Sequence, residues 1–206
     1  MNCKDKNSDD DFEKEITEDA AKNKMIFIMA TAVTYCITMT ILCGVYFYSL
    51  PQTLGPKDVC YANSSNVPVE SGIPAYDNVD VTARFRACLQ TGFWVHLLGV
   101  FGDSSYLLQI KTITNKGFRI FAFVLVTTYS VLWLAWLIWA NVLRFRHVGQ
   151  VCSTDLLPAD ERGDLPWYAY TEGKYLLNVI IALWTINGIL VVLAIIASVF
   201  EKRYIA

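Results

Sequence analysis

Four long apolar runs constrain this chain more than any other feature. They cover residues 25–50, 89–110, 118–143 and 175–200, and each contains at most one aspartate, glutamate, lysine or arginine. A helix that crosses the hydrocarbon core of a bilayer needs about 20 mostly apolar residues. Because no water reaches that core, the backbone has to satisfy its hydrogen bonds within each segment. The sequence therefore predicts an all-α fold, an integral membrane four-helix bundle over residues 25–200.

The polar segments between these runs predict where the loops lie. The link at residues 111–117 is short, which makes the second and third spans antiparallel neighbours. The links at residues 51–88 and 144–174 are long and contain several proline and glycine residues, which are typical of turns. An even number of spans places both long links on the same side of the membrane. We therefore expect two extramembrane loops on one side.

The two ends of the chain differ from the spans in composition. Residues 1–24 include the acidic run at residues 9–11 and few large apolar side chains, which predicts a disordered acidic tail. Residues 201–206 form a short second tail. The side that holds both termini carries ten lysines and arginines, and the opposite side carries seven. This bias favours cytoplasmic termini, but it does not distinguish the plasma membrane from an endomembrane.

Three cysteines lie in or at the edge of the long links. Cys60 and Cys88 bracket part of the first link, and Cys152 lies in the second. Since disulfides persist outside the cytosol, we expect a Cys60–Cys88 disulfide, the alternative being three thiols in a reducing compartment. Cys152 is then left to bridge to a partner, to pair with one of the other two cysteines, or to stay buried. Asn63 begins the sequence Asn-Ser-Ser, a candidate N-glycosylation site.

The second span differs from the other three because it holds a histidine and an aspartate, His96 and Asp103, beside Ser104 and Ser105. His96, Gly99, Asp103 and Tyr106 are spaced by three, four and three positions, which places them on one stripe of a helix. A charged carboxylate near the bilayer centre costs at least about 3 kcal/mol, so Asp103 has to face protein or a water-filled cavity. We favour a packing contact, for example to an asparagine of the fourth span or a threonine of the first. The alternative is a proton or cation path through His96 and Asp103.

A basic segment follows the third span directly. It contains Arg144, Arg146 and His147, and continues through a glycine to Cys152 and Ser153. The residues form either a basic collar that reaches the lipid headgroups or a docking surface. The segment resembles a basic, His-Gly-Cys-Ser stretch of uncharacterised four-pass proteins from protists. The number of spans and the loop pattern resemble tetraspan and MARVEL-type membrane proteins, and this resemblance implies a role in membrane organisation.

The remaining features narrow the class of function. A net charge of −2 gives no reason to expect a nucleic-acid partner. The sequence contains no motif typical of hydrolases, nucleotide-binding enzymes or zinc proteins. We therefore expect no catalytic activity, cofactor or metal. The predicted function is interaction with membrane lipids and with other membrane proteins or a second copy of the chain, as a scaffold, organiser or accessory subunit. The alternative is a small channel or transporter that uses the polar stripe.

Overall fold

A computed structural model describes residues 6–49, 59–65, 79–111, 115–156 and 168–205. Within these ranges the chain is mostly helical. The elements in chain order are α1 (Lys6–Ser49), β1 (Tyr61–Ala62), β2 (Val79–Asp80), α2 (Val81–Lys111), α3 (Lys116–Phe145), α4 (His147–Cys152) and α5 (Tyr168–Ile205).

Among the residues that the structure describes, three helices are long and apolar enough to cross a membrane, which is consistent with an integral membrane protein. The segments are Asp19–Val45 in α1, Lys116–Phe145 in α3 and Gly173–Leu193 in α5. Large apolar side chains on these helices, such as Phe27, Val131 and Ile195, are exposed. A soluble monomer rarely exposes apolar patches this extensive, whereas hydrocarbon solvates them at no cost. The apolar runs of the first, third and fourth predicted spans therefore correspond to these helices.

The second predicted span, residues 89–110, is helical but differs from the other three. It lies within α2, which is longer than predicted, and α2 is not among the segments apolar enough to span. Its first turns carry Arg84 and Arg86, and its centre carries His96 and Asp103. These residues lower its mean hydropathy, so a fourth membrane crossing remains a prediction.

Both ends of the chain are more helical than we expected. Helix α1 begins at Lys6 and continues without a break into the span, whereas the sequence predicted a disordered tail over residues 1–24. Residues 6–24 contain no glycine or proline, and a helix that is already nucleated adds residues at low cost. At the other end α5 extends to Ile205, through the predicted short tail.

The described residues are mostly helical, as the sequence predicted, and they also contain a small sheet. Strands β1 and β2 pair antiparallel in the first long loop, with Tyr61 opposite Asp80 and Ala62 opposite Val79. Strand β2 leads directly into α2, where Oδ1 of Asp80 accepts a hydrogen bond of 2.8 Å from the Ala83 N–H. Asp80 is therefore the N-cap of α2, a position that favours aspartate.

The chain divides into two compact units. Unit 1 consists of Met1–Ile37 and His96–Val131, and unit 2 consists of Thr38–Val95 and Leu132–Ala206. Each contains segments of α1, α2 and α3.

In unit 1, α2 and α3 approach each other closely at a glycine. A Cβ atom built on Gly102 lies 3.5 Å from the backbone carbonyl carbon of Leu125 and 3.5 Å from the backbone nitrogen of Val126. Small residues at such positions let membrane helices pack closely, since no hydrophobic force drives their association in lipid.

In unit 2, Trp136 of α3 packs against α2. Its indole N–H donates a 2.8 Å hydrogen bond to the carbonyl oxygen of Cys88. A Cβ atom on Gly92, one turn further along, lies 2.7 Å from the Trp136 ring. The missing side chain at Gly92 therefore makes room for the indole. The Tyr175 hydroxyl donates to the Leu42 carbonyl oxygen and links α5 to α1.

Candidate functional site

The structure buries two residues of the predicted polar stripe inside unit 1. The side chain of His96 is 0% exposed and that of Asp103 is 5% exposed. Both lie on α2. His96 contacts residues of α1 and α3, and Asp103 contacts a residue of α1. Both side chains therefore face other parts of the protein in the structure.

Cys36 of α1 provides the described contact of Asp103. Its Sγ lies 3.5 Å from Oδ2 of Asp103 and 3.2 Å from the hydroxyl oxygen of Tyr129 on α3. A thiol has one proton and is a weak donor and acceptor, so it donates to one of the two oxygens at a time. We predicted that Asp103 contacts an asparagine of the fourth span or a threonine of the first, and this prediction is wrong.

His96 lies between two tyrosine rings. Its ring centroid is 6.0 Å from that of Tyr35 and 6.5 Å from that of Tyr129, and both pairs are arranged edge to face. Such arrangements are favourable for aromatic pairs. We call the five residues Tyr35, Cys36, His96, Asp103 and Tyr129 the polar cluster.

Gly99 provides the space in which Cys36 of α1 and Tyr129 of α3 pack against α2. A Cβ atom at this position lies 2.7 Å from Sγ of Cys36 and 2.7 Å from Cε2 of Tyr129. Real Cβ atoms do not approach other heavy atoms that closely, so a side chain there displaces Cys36 or Tyr129. The stripe identified Gly99 from the sequence, but its role is to provide space rather than a polar contact.

The cysteine pairing differs from the prediction. Cys60 forms a disulfide with Cys152, across a sequence separation of 92 residues, and the predicted Cys60–Cys88 pair is wrong. Cys88 is a buried free thiol within α2. The pairing of Cys152 with one of the other two cysteines was an alternative, and the structure selects it. The bridge joins the two long loops instead of closing the first one on itself.

The backbone around Cys60 is held by hydrogen bonds to the start of α2. The Cys60 N–H donates to Oγ1 of Thr82 at 2.9 Å, and the Val81 N–H donates to the Cys60 carbonyl oxygen at 3.1 Å. Cys60, Val81 and Thr82 are all buried. We call residues 59–65, 79–82 and 144–155 the loop cap.

Arg144 is a buried part of the loop cap, which contradicts its assignment to an exposed docking collar. Its side chain is 0% exposed. Nε donates a 3.0 Å hydrogen bond to the Gly173 carbonyl oxygen, and Nη2 forms a 2.7 Å ion pair with Oδ2 of Asp155. Arg144 thus holds the second loop against the start of α5.

The chain turns sharply between α3 and the disulfide. A Cβ atom on Gly149 overlaps the Leu143 carbonyl oxygen, so only glycine fits in this turn of α4. The Ser153 hydroxyl donates a 2.7 Å hydrogen bond to the Gly149 carbonyl oxygen. Thr154 follows in the left-handed region, with φ of 58°, a conformation that is uncommon for β-branched residues.

The other two residues of the predicted collar are exposed. Arg146 and His147 both lie on the surface of the loop cap. Nε2 of His147 is 3.1 Å from the Ser65 carbonyl oxygen in the first loop. Asn63, the candidate glycosylation residue, is half-buried, and its Oδ1 accepts a 2.7 Å hydrogen bond from the Ser65 N–H.

Tyr106, the last residue of the stripe, lies apart from the histidine and aspartate contacts described above. It lines a groove of about 420 Å³ together with Gln109 of α2 and Arg119, Ile120 and Phe123 of α3. In the described parts of the chain, no three histidine, cysteine or acidic side chains come close enough to hold a metal ion.

Comparisons with known proteins found no matching family model, no matching curated protein and no matching solved structure. The resemblance to tetraspan and MARVEL-type proteins therefore stays a prediction.

Proposed function

We propose that this chain is a non-enzymatic, multi-pass membrane protein that acts through protein–protein interaction. In this role it serves as a scaffold, an organiser or an accessory subunit of a larger membrane complex. The observation that carries the proposal is the construction of the loop cap. A disulfide, an ion pair of the buried Arg144 and a small sheet hold the described parts of two loops together as one surface. Ordering a surface in advance reduces the entropy cost of binding a partner.

The exposed residues of the loop cap are the proposed contact points. Arg146 and His147 lie on its surface, and the polar atoms of a partner can reach both. Arginine is enriched at protein interfaces, where its guanidinium pairs with carboxylates in two-pronged geometry. Arg146 and His147 are the two residues of the predicted collar that are exposed, and we therefore base the docking role on them.

The proposed topology has four spans, with both termini in the cytoplasm and the loop cap outside it. The Cys60–Cys152 disulfide supports this orientation, since such bonds persist on the oxidising side of a membrane. Glycosylation at Asn63 tests it in cells. We expect glycosidase treatment to increase the gel mobility of the full chain but not of Asn63→Gln. No shift for the full chain, together with modification of terminal tags from outside the cell, contradicts this topology.

The alternative function, a small channel or transporter, uses His96 and Asp103. The burial of both side chains and the Cys36 contact of Asp103 favour a packing role instead.

Site-specific photocrosslinking tests the interaction proposal. A photoreactive amino acid replaces His147 in the full chain, and crosslinked products are identified by mass spectrometry. We expect one defined protein partner, whose yield falls when Arg146→Glu is added. Arg84→Glu is the matched control, because Arg84 is an exposed arginine of unit 2 outside the loop cap. Crosslinks to lipid only, or equal losses with both variants, contradict the proposal.

A further inference from the structure

The groove beside Tyr106 combines polar and apolar walls. Tyr106 and Gln109 are three residues apart on α2, and Arg119, Ile120 and Phe123 share one face of α3. All five residues belong to unit 1. The volume of about 420 Å³ falls within the range of small-molecule sites. The groove therefore has room for a polar group together with part of an apolar chain.

The charged side chain that lines the groove belongs to Arg119. It is exposed, and no aspartate or glutamate occurs between Asp103 and Asp155 in the sequence. An anionic ligand is the complementary one.

The groove also lies at one end of a candidate membrane span. The apolar segment of α3 begins at Lys116, so Arg119 occupies its first turn. Ile120 and Phe123 follow immediately and are exposed to the apolar surroundings. Arginine and aromatic residues at the ends of spans lie at headgroup depth. The groove thus opens where the phosphate of a phospholipid meets its acyl chains.

Gln109 adds a hydrogen-bonding requirement. Its Oε1 is buried and has no hydrogen-bond partner among the described residues. An unsatisfied buried amide oxygen is unfavourable. Rotation of this amide toward the groove breaks no bond at Oε1, and it gives a ligand hydroxyl or ammonium group an acceptor. The ligand best matched to the groove therefore carries a donor next to its phosphate.

We propose that this groove binds the headgroup of an anionic phospholipid that bears a hydroxyl or ammonium donor. Arg119 pairs with the phosphate, Gln109 accepts from the headgroup donor, and Ile120 and Phe123 contact the upper acyl chain. Phosphatidylserine and phosphatidylglycerol fit this description. Phosphatidic acid supplies the phosphate without the donor, and phosphatidylcholine has no net charge.

Native mass spectrometry of the purified full chain in detergent tests the proposal by titration with defined lipids. We expect phosphatidylserine to bind more tightly than phosphatidylcholine. Arg119→Gln is expected to weaken phosphatidylserine binding about five-fold, the usual effect of one basic residue near an anionic lipid surface. Lys116→Gln is the matched control, because it removes an exposed cation of the same turn that does not line the groove. Equal losses with both variants overturn the groove as the site.

A second variant tests the role of the headgroup donor. Gln109→Leu is expected to lower affinity for phosphatidylserine and phosphatidylglycerol while leaving phosphatidic acid unchanged. An equal effect on all three lipids overturns the assignment of Gln109. Inorganic phosphate at millimolar concentration is expected not to displace the lipid, and displacement by it identifies a free-phosphate site instead. Unchanged thermal unfolding of each variant shows that the fold is intact.

Discussion

Arg144 and Asp155 form an ion pair in which the two partners differ sharply in exposure. The guanidinium is 0% exposed, whereas the carboxylate 2.7 Å away is 41% exposed. A buried cation without its partner is strongly unfavourable, but solvent around Asp155 weakens the pair. The pair therefore stabilises the loop cap mainly by compensating the burial of Arg144.

We expect Asp155→Asn to destabilise the folded protein by about 1–2 kcal/mol, since it leaves the Arg144 charge without a counterion. Thermal unfolding followed by tryptophan fluorescence measures this. Asp19→Asn, which changes an exposed carboxylate of α1, is the control. The double variant Arg144→Leu with Asp155→Asn is expected to be more stable than Asp155→Asn alone. A double variant of equal or lower stability contradicts the argument.

The disulfide gives a second prediction. Cys60→Ser and Cys152→Ser are each expected to remove the mobility difference between reduced and non-reduced samples on a gel, whereas Cys88→Ser preserves it. In a soluble chain a loop of this length corresponds to about 4–5 kcal/mol. We expect a smaller loss of about 1–3 kcal/mol here, since membrane-inserted helices keep the loops close after the bond is cut. A mobility difference that depends on Cys88 contradicts the pairing.

Gly99 of α2 and Gly188 of α5 provide a matched pair of substitutions. A Cβ at Gly99 meets Cys36 and Tyr129, whereas a Cβ at Gly188 meets nothing within 4 Å. Gly99→Ala is therefore expected to destabilise the protein by about 1–3 kcal/mol through overpacking. Gly188→Ala is expected to have no effect or a small stabilising one, because alanine is the better helix former. Equal thermal unfolding of the two variants contradicts the close packing around Gly99.

Asp103→Asn distinguishes packing from transport. Asparagine keeps the size of the side chain and its capacity to hydrogen-bond with Cys36, so we expect a stability change below about 1 kcal/mol, in line with other polar contacts inside membranes. Proton and cation flux into proteoliposomes is expected to be the same for both forms. Flux that is present in the unmodified chain and absent in the variant contradicts the packing role and supports a path through Asp103.

Local composition was sufficient to predict the long apolar helices of the first, third and fourth runs, which are able to span a membrane. Each such helix forms its backbone hydrogen bonds within its own segment, and its apolar side chains are favourable in hydrocarbon. Neighbouring segments therefore contribute little to its position. The same reasoning placed Asp103 away from lipid. Composition did not predict the helix over residues 6–24. It indicates whether a segment folds alone, and not whether the segment continues a helix that already exists.

The pairing of residues distant in the chain was decided by the tertiary structure. Cys60 bonds Cys152 because the start of α2 and the turn at Gly149 bring the two loops together, while Cys88 lies inside α2. Likewise, the sequence shows Arg144 as one of several basic residues, and only the positions of Gly173 and Asp155 bury it. Hydrophobic patterning is a property of each segment alone, whereas a disulfide or an ion pair depends on the relative positions of two segments, which packing determines.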